Sequence, residues 1–294
     1  MRFLVTGTTG FLGWRSAVLL AQRGHDVVGL ARPGGAPRAH VGDLDAVRAD
    51  AGGPQARALI AGCDAVLHFA GVPDPARARS DPARAVRENA GTTLNLLEGC
   101  LEHDAALIYP STTRAAGMGP SDPYALSKRL GEEVCRLHAA PTAVVRMTSV
   151  FGPGQVAWEG ATGAIAAFAA RSLRGEPLVI PGDPHRTRDF LYVDDAVAAL
   201  ERVAVQAEWD GTATLASGTA TSLLDAARLV RAVAGSDSPI QTPGGTMAPA
   251  ENASYQTGTD EPRLPCSVRP LREGVELYVD WLRRHPAAQG STGA

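Results

Sequence analysis

The chain has 294 residues, a formal net charge of −3 and four cysteines. This length is enough to bury a large hydrophobic core in one sizeable domain or two smaller ones. The slightly acidic charge excludes the basic surface of a nucleic-acid-binding protein, and the wide spacing of the cysteines excludes a disulfide framework and a zinc site. No apolar run has membrane-spanning length and no leader precedes the first strand, so the sequence predicts a cytoplasmic protein.

The first predicted elements are a strand, a glycine-rich turn and a helix. The apolar run 2–6 leads into Gly7-Thr8-Thr9-Gly10-Phe11-Leu12-Gly13, and an apolar periodic stretch continues to residue 23. In a dinucleotide fingerprint Gly7 forms the tight turn, Gly10 lets backbone N–H groups approach a pyrophosphate, and Gly13 brings the helix close to the strand. The alternative is a strand-to-helix turn in another kind of α/β protein, but the place directly after the first strand favours the nucleotide site.

The end of the second predicted strand, residues 26–30, bears on the choice of dinucleotide. Proteins that bind NAD commonly place an acidic residue there for the ribose 2′-hydroxyl, whereas a 2′-phosphate requires a cation. Ala31 stands at that place and Arg32 follows it. An arginine can clasp a phosphate in a bidentate pair, although it can also stack on adenine. The sequence therefore favours NADP(H), with NAD as the alternative cofactor.

Strand and helix patterns continue to alternate along the first half of the chain. Strands are predicted at 65–68, 106–109 and 143–146, with helices between them at about 56–61, 81–101 and 123–139. This order predicts an α/β fold of the Rossmann type, with a doubly wound parallel sheet and helices on both of its faces.

The pattern changes after residue 153. It predicts a helix at 163–173, short strands at 178–180 and 190–193, and helices at about 194–205, 221–234 and 269–284. We predict a dinucleotide-binding domain over 1–153 and a smaller, mainly substrate-binding α/β domain over 154–285, from which some segments return to the Rossmann sheet. Glycine, proline and polar residues over 233–260 predict a mobile loop above a ligand cleft, and 286–294 a disordered tail.

Tyr124 and Lys128 form the strongest candidate for a catalytic pair. Asp122 is suited to cap a helix and Pro123 suits its first position, so Tyr124 and Lys128 lie one turn apart on the same face. A nearby ammonium favours the phenolate of a tyrosine, whose ordinary pKa is about 10. Such a phenol exchanges a proton with a substrate hydroxyl while hydride moves to or from a nicotinamide.

Together these motifs resemble the extended short-chain dehydrogenase/reductase family, also called the NAD-dependent epimerase/dehydratase family. Four more segments are similar to the family's pattern and occur in its order: Val66-Leu67-His68-Phe69-Ala70-Gly71, Glu88-Asn89-Ala90-Gly91-Thr92, the stretch from Arg146 to Gly154, and Arg188-Asp189-Phe190-Leu191-Tyr192-Val193-Asp194-Asp195. The resemblance covers nearly the whole chain and implies a soluble enzyme that acts as a homodimer on a small molecule.

The resemblance also implies roles for single residues. Thr112 takes the family's catalytic Ser/Thr position beside Tyr124, with Thr113 and Ser111 as competitors, and Lys128 also holds the nicotinamide ribose. Asp43, followed by Leu44, matches the position whose carboxylate meets the adenine amino group. The remaining expected cofactor contacts are Gly7, Thr9, Gly10, Phe11, Leu12, Gly13, Arg32, Phe69, Ala70, Gly71 and, more weakly, Asn89, whose side chain could equally support its own helix.

Departures from the family pattern narrow the predicted reaction. Thr112 is followed by Thr113-Arg114 rather than by the Asp-Glu pair of sugar-nucleotide 4,6-dehydratases, which disfavours dehydration. Arg188 matches the arginine that grips a substrate diphosphate, although it could pair with Asp189 or Asp194 as scaffold. We predict a nucleotide-sugar epimerase or ketoreductase, with Thr113 and Arg188 in contact with substrate. The alternatives are an NADPH-dependent ketoreductase of a non-nucleotide metabolite and a non-catalytic dinucleotide-binding protein.

Overall fold

The computed structural model describes residues 1–34, 46–116, 122–155, 163–209, 211–254 and 262–285. Within these ranges the strands are β1 Arg2–Thr6, β2 Asp26–Ala31, β3 Ala46–Arg48, β4 Ala65–His68, β5 Ala106–Thr112, β6 Thr142–Met147, β7 Ser149–Phe151, β8 Leu178–Pro181, β9 Thr187–Tyr192, β10 Thr212–Leu215, β11 Ala220–Ser222 and β12 Ile240–Gly244.

The helices of the same ranges are α1 Phe11–Gln22, α2 Pro54–Ala58, α3 Pro75–Ser80, α4 Pro82–Val86, α5 Thr92–Glu102, α6 Pro123–Leu137, α7 Ala164–Leu173, α8 Val193–Val205, α9 Leu223–Ala234, α10 Pro249–Asn252 and α11 Leu271–Arg284. A π-helical turn, Arg87–Gly91, joins α4 to α5, and a 3₁₀ turn, Thr113–Ala116, follows β5.

The main sheet has seven strands in the order β3-β2-β1-β4-β5-β6-β10, and every neighbouring pair is parallel. From β1 the chain builds outward through β2 and β3, and it then crosses to β4 and builds outward on the other side. The reversal between β1 and β4 is the switch point at which open α/β sheets bind ligands. The predicted Rossmann-type fold is confirmed.

Alternate residues of the first strand enter two different hydrophobic cores. Phe3 and Val5 pack with Ala17 and Leu20 of α1 and with residues of α8, while Leu4 faces the opposite core beneath α2, α5 and α6. A strand buried on both faces is expected to be apolar throughout, as Phe3-Leu4-Val5 is. The sheet therefore holds the ends of its strands rigidly between two helical layers.

A third core lies in the C-terminal half. It joins α7, α9 and α11 to the small sheet β11-β9-β7 and contains Phe151, Phe190, Tyr192, Tyr278 and Trp281. Two elements of this half, β10 and α8, pack instead on the main sheet. The domain limits themselves stay a prediction.

Two expectations from the sequence need correction. The stretch 233–249 is not simply a loop, because β12 pairs in parallel with β8 and α10 follows. The single helix predicted over 81–101 is divided into α4, the π-helical turn and α5. The short strand β3 was not predicted. The expected tail 286–294 lies outside the described residues, and none of the helices in the described ranges has the length and apolar character needed to cross a membrane.

Candidate active site

The glycine turn after β1 has the geometry that its three glycines predict. Gly7 has a φ of +72°, and a Cβ there would lie 2.9 Å from the backbone nitrogen of Ala70. A Cβ on Gly13 would lie 2.3 Å from the Gly7 carbonyl oxygen, so only glycine lets α1 start this close to β1. The Gly10 N–H donates to the Gly7 oxygen at 2.8 Å and closes the turn.

A long cleft runs along the switch point, which we call the glycine cleft. It consists of two adjoining cavities of about 330 and 730 Å³ that share Gly7, Gly10, Phe69, Ala70 and Gly71. No side chain among the described residues caps the N-terminus of α1, which faces this cleft through Phe11 and Leu12. Free backbone N–H groups at a helix start bind phosphate groups, so these residues fit the pyrophosphate of a dinucleotide.

Tyr124 and Lys128 line the inner part of the glycine cleft. Pro123 takes the first position of α6, and the Tyr124 N–H donates to the Asp122 side chain at 3.2 Å, as the sequence predicts. The Thr112 side chain, at the end of β5, is close enough to the Tyr124 hydroxyl to lower the pKa of the phenol. These contacts hold the phenol in a fixed place at the wall of the cleft.

The electrostatics of this pair differ from the expectation that Lys128 lowers the pKa of Tyr124. Burial raises the pKa of Tyr124 to about 12, and the cation that opposes this shift is Arg114. Burial also lowers the pKa of Lys128 to about 8. The Lys128 ammonium lies 4.2 Å from the centre of the Tyr109 ring, on the β5 side of the helix. The prediction was wrong on this point because it placed both side chains by helical spacing alone.

The three hydroxyls at the end of β5 have different surroundings. The Ser111 hydroxyl is buried and donates to Glu132 at 2.5 Å, and Glu132 is itself paired with Arg146 at 2.7 Å. Thr112 contacts Tyr124, while Thr113 lines a neighbouring cavity. Of the three candidates, Ser111 thus has a structural partner for its hydroxyl and Thr112 is the one that reaches the phenol.

Asn89 lies against the glycine cleft, but its side chain is fully engaged in the protein. Its oxygen accepts from the Val72 N–H at 2.8 Å, and its nitrogen donates to the Val72 carbonyl and to the Ser127 hydroxyl. It therefore braces the π-helical turn against α6 and the segment after β4. The contact of Asn89 with a cofactor stays a prediction.

The outer part of the glycine cleft carries several charged residues. Arg32 follows β2 with its side chain 61% exposed, 3.8 Å from Glu88. Thr9, Arg77 and Arg87 line the same space. Asp43 and Leu44, the expected adenine contacts, lie outside the described residues.

Asp50 was missed by the sequence analysis and also lines this part of the cleft, just after β3. One of its oxygens accepts from the Gly52 N–H at 3.0 Å. The short apolar pair Ala46-Val47, followed three residues later by an acid, is the signal that could have identified it.

A second cavity, which we call the polar cavity, adjoins Thr112. It has a volume of about 140 Å³ and is lined by Thr112, Thr113, Arg114, Met147, Thr148, Ser149, Arg188, Asp189 and Glu251. Tyr124 lines the glycine cleft, so Thr112 and Tyr124 lie where the two spaces meet. Sequence reasoning missed the parts that Arg114 and Glu251 play here.

Arg188 faces the polar cavity, and backbone carbonyl oxygens hold its guanidinium. Its guanidinium donates to the carbonyl oxygens of Thr187, Glu251 and Ala253 at 2.6 to 2.9 Å. Asp194 is bound by Arg15 through two hydrogen bonds of 2.7 Å, and Asp189 accepts from the backbone N–H groups of Ser217 and Gly218. Three backbone carbonyl oxygens thus hold the Arg188 guanidinium at the edge of the polar cavity.

The sequence profile of the NAD dependent epimerase/dehydratase family matches residues 3–213. The chain belongs to that family. A dTDP-4-dehydro-6-deoxy-D-allose reductase from Streptomyces bikiniensis is 26% identical over 96% of this chain and 96% of its own length. A dTDP-glucose 4,6-dehydratase from Streptomyces niveus is 26% identical over 78% of this chain and 73% of its own.

Two solved structures extend the likeness to the fold. A UDP-glucose 4-epimerase from Thermotoga maritima with UDP-glucose has a TM-score of 0.83 and 24% identity, and covers 97% of this chain and 100% of that one. MoeE5 in complex with UDP-glucuronic acid and NAD has a TM-score of 0.81 and 25% identity, with coverage of 97% and 99%. The predicted family, an NAD-dependent family of extended short-chain dehydrogenases/reductases, is confirmed.

Proposed function

We propose that the protein is an epimerase or ketoreductase that acts on a hydroxyl or keto carbon of a nucleotide-activated sugar. The observation that carries this proposal is the place of the Thr112–Tyr124 pair between the glycine cleft and the polar cavity. A substrate oxygen in the polar cavity is then within reach of both hydroxyls. Relatives named as a sugar-nucleotide reductase and a UDP-glucose epimerase support this choice of substrate class.

Each residue of the pair has a distinct task. Tyr124 gives a proton to the substrate oxygen or takes one from it, and Thr112 holds that oxygen in line by a hydrogen bond. Lys128, beside them, holds the ribose hydroxyls of the dinucleotide. A nicotinamide dinucleotide in the glycine cleft supplies the hydride transfer when it is bound. The same tasks serve both reactions, which differ in whether the dinucleotide stays bound or is released each turnover.

For the cofactor we propose NADP(H). Ala31 takes the place at the end of β2 where an acid would bind a 2′-hydroxyl, and Arg32 and Arg87 both line the outer cleft. NAD is the second candidate, because Glu88 lies 3.8 Å from Arg32 and competes with a phosphate for that guanidinium. Asp50, at the end of β3, is our candidate for the adenine contact that the sequence assigned to Asp43.

Arg188 and Thr113 are the proposed substrate contacts. The positive charge of Arg188 at the polar cavity suits a diphosphate, and charge-assisted hydrogen bonds to phosphate are strong. We infer that the reaction is not a 4,6-dehydration, since Thr113 and Arg114 follow Thr112 where that reaction uses two carboxylic acids. A ketoreductase of a non-nucleotide metabolite is the second candidate, favoured by the three carbonyls that already engage the Arg188 guanidinium.

We also propose that the protein is a cytoplasmic homodimer. Leu94 and Leu101 of α5, seven residues apart, are 43% and 52% exposed, and Leu130 and Leu137 of α6, again seven apart, are 38% and 74% exposed. Residues at this spacing lie on the same face of a helix, so the adjacent helices α5 and α6 present one apolar surface. A second copy of the chain would cover it.

Turnover assays test the function directly. The purified protein is first screened for thermal stabilisation by UDP, TDP and GDP and by NADP⁺ and NAD⁺, because a ligand of the folded state must raise its melting temperature. Sugars carried by the nucleotide that binds are then assayed as 4-keto and 4-hydroxy forms. Stoichiometric loss of NADPH identifies a reductase, and conversion without net loss identifies an epimerase. No binding by any nucleotide would exclude the nucleotide-sugar assignment.

A further inference from the structure

Arg114 lies between the start of α6 and the C-terminal segment that carries α10. Its Nη2 atom is 2.5 Å from one oxygen of Asp122 and 3.4 Å from Glu251, and its side chain is only 14% exposed. The centre of the guanidinium lies 5.8 Å from the centre of the Tyr124 ring. A partly buried arginine with two carboxylate partners is held in one orientation, so its charge stays beside the phenol.

Asp122 connects Arg114 to the backbone of the catalytic helix. Its oxygen Oδ1 accepts from the Tyr124 N–H at 3.2 Å, and its oxygen Oδ2 accepts from Arg114 Nε at 2.9 Å. One buried carboxylate therefore fixes both the first turn of α6 and the guanidinium. A displacement of Arg114 would move the group that holds Tyr124 in place.

Glu251 connects Arg114 to the other side of the polar cavity. Its carboxylate accepts from Arg79 of α3 at 3.1 Å as well as contacting Arg114. Its carbonyl oxygen accepts from Arg188 at 2.9 Å. Arg114, which lies beside the phenol, and Arg188, the proposed diphosphate contact, thus both contact Glu251.

We propose that Arg114 is a positioning residue for proton transfer: it orients Tyr124 through Asp122 and stabilises the negative charge that forms on the phenol oxygen. This inference rests on the proposed function, which gives Tyr124 the proton-transfer role. When the phenol gives its proton to the substrate oxygen, its O–H bond breaks and the electron pair stays on the tyrosine. A fixed cation 5.8 Å from the centre of the phenol ring lowers the energy of that anion.

The other groups that face Tyr124 do not replace Arg114. The apolar residues packed against its ring come from the segment after β4 and from α3 and α4, namely Val72, Ala78 and Ala85. Asp122 carries the opposite charge, Tyr109 of β5 is a buried neutral phenol, and the Lys128 ammonium lies over the Tyr109 ring. Burial raises the pKa of Tyr124, and among the described residues around it Arg114 is the cation that lowers this pKa.

A titration of Tyr124 that needs no substrate tests this inference. A fluorinated tyrosine, whose phenol is more acidic, is incorporated at position 124 of the full chain, and its single fluorine NMR signal is followed against pH. The titration is repeated with Arg114→Gln, with Arg114→Lys and with the matched control Arg79→Gln. Arg79 binds the same Glu251 carboxylate as Arg114, but the cation that lies over the Tyr124 ring is Arg114.

We expect Arg114→Gln to move the titration upward by about one pH unit or more, Arg114→Lys to move it less, and Arg79→Gln to leave it in place. In turnover at fixed pH, Arg114→Gln should lower kcat about tenfold or more, with KM for the dinucleotide unchanged. A folded Arg114→Gln protein with an unmoved titration overturns the inference. Should that variant not fold, an unmoved titration in a folded Arg114→Ala protein does the same.

The outcomes separate this inference from the proposed function. Failure of the wild type to turn over any sugar nucleotide would contradict the function, while the fluorine titration would still report whether Arg114 acts on Tyr124. If the wild type turns over a sugar nucleotide but the titration of Tyr124 does not move in Arg114→Gln, only the role of Arg114 is contradicted.

Discussion

The glycine cleft and the polar cavity meet at Thr112 and Tyr124, but they are built in different ways. The shape of the glycine cleft depends on positions such as Gly7 and Gly13, where a Cβ would collide with a neighbouring strand or turn. The polar cavity is lined by hydroxyl and charged side chains from distant parts of the chain. Arg114 and Glu251, for example, are 137 residues apart.

This difference decides what each region can recognise. Backbone N–H groups at a helix start bind phosphate whatever else the ligand carries, so the glycine cleft suits a cofactor shared by a whole family. Side-chain ion pairs can be exchanged without disturbing the sheet, so the polar cavity is where a reaction and its substrate are selected. Variants at the junction and in each region should therefore fail in different steps.

The largest effect is expected for Tyr124→Phe, which removes the proton-transfer group at the junction. Turnover should fall on the order of 10²–10⁴-fold because general acid–base catalysis is lost. Dinucleotide affinity should be nearly unchanged, since only one hydroxyl is removed. Steady-state kinetics and calorimetric titration measure the two quantities on the same preparation.

Two neighbouring hydroxyls provide the comparison for this variant. Thr112→Val should lower turnover. In the double variant it should lower turnover little beyond the loss caused by Tyr124→Phe, because both hydroxyls act on the same substrate oxygen. Ser111→Ala should lower stability by leaving Glu132 with an unmet hydrogen bond and leave turnover within a few-fold of the wild type. Wild-type turnover in Tyr124→Phe would rule out the proposed mechanism.

Arg188→Ala tests the polar cavity. If the guanidinium meets a diphosphate, KM for the nucleotide sugar should rise about 10- to 100-fold through the loss of one or two charge-assisted hydrogen bonds. High salt should then weaken substrate binding more in the wild type than in the variant. Substrate kinetics at two salt concentrations measure both effects.

Arg186→Ala is the matched control for Arg188→Ala. Arg186 also donates to backbone carbonyls, those of Pro181 and Asp183, but the cavity is lined by Arg188. Both variants should lose thermal stability, and only Arg188→Ala should change KM. An unchanged KM for every nucleotide sugar that the wild type accepts would favour the non-nucleotide ketoreductase.

Arg32→Ala tests the outer glycine cleft with a smaller effect. Each lost charge-assisted hydrogen bond to a 2′-phosphate should weaken NADPH binding by about 1.5–3 kcal/mol and leave NADH binding nearly unaltered. Arg48→Ala is the control, since Arg48 is exposed and donates to the Arg32 carbonyl at 3.5 Å. Equal losses of affinity for NADPH and NADH in calorimetric titration of Arg32→Ala would contradict the proposed NADP(H) preference.

The two regions also differ in how much the sequence could predict. Local spacing was sufficient for the Gly7-x-x-Gly10-x-x-Gly13 turn and for the helix start at Asp122, because each depends on residues next to one another. The contacts of Arg114 and Arg188 could not be predicted, because they depend on how α10 lies across the cavity. Helical spacing placed Lys128 on the face of Tyr124 but could not show that its ammonium lies over the Tyr109 ring.

The smallest expected effect is a gain in stability for Lys128→Met. Lys128 is the only lysine among the 28 lysines and arginines of the chain, and burial lowers its pKa from 10.5 to about 8. Between pH 8 and pH 10.5 Lys128 is protonated in the unfolded chain and largely deprotonated in the folded protein. Its contribution to the free energy of unfolding therefore rises with pH from about 8 to 10.5. Below that range both states are charged and the folded state bears the whole cost of burial. Lys128→Met should therefore be more stable at pH 7 by about 1–3 kcal/mol and lack that rise, while losing both turnover and dinucleotide affinity.

Urea unfolding of the two proteins at neutral and alkaline pH measures this change. Because the chain has a single lysine, reductive methylation with a carbon-13 reagent labels only Lys128 and the α-amino group, so NMR can follow the titration of Lys128 directly. A folded-state pKa near that of a free lysine, or equal stability of the two proteins at pH 7, would contradict the burial argument. Unchanged dinucleotide affinity in Lys128→Met would contradict the proposed contact of Lys128 with the ribose hydroxyls.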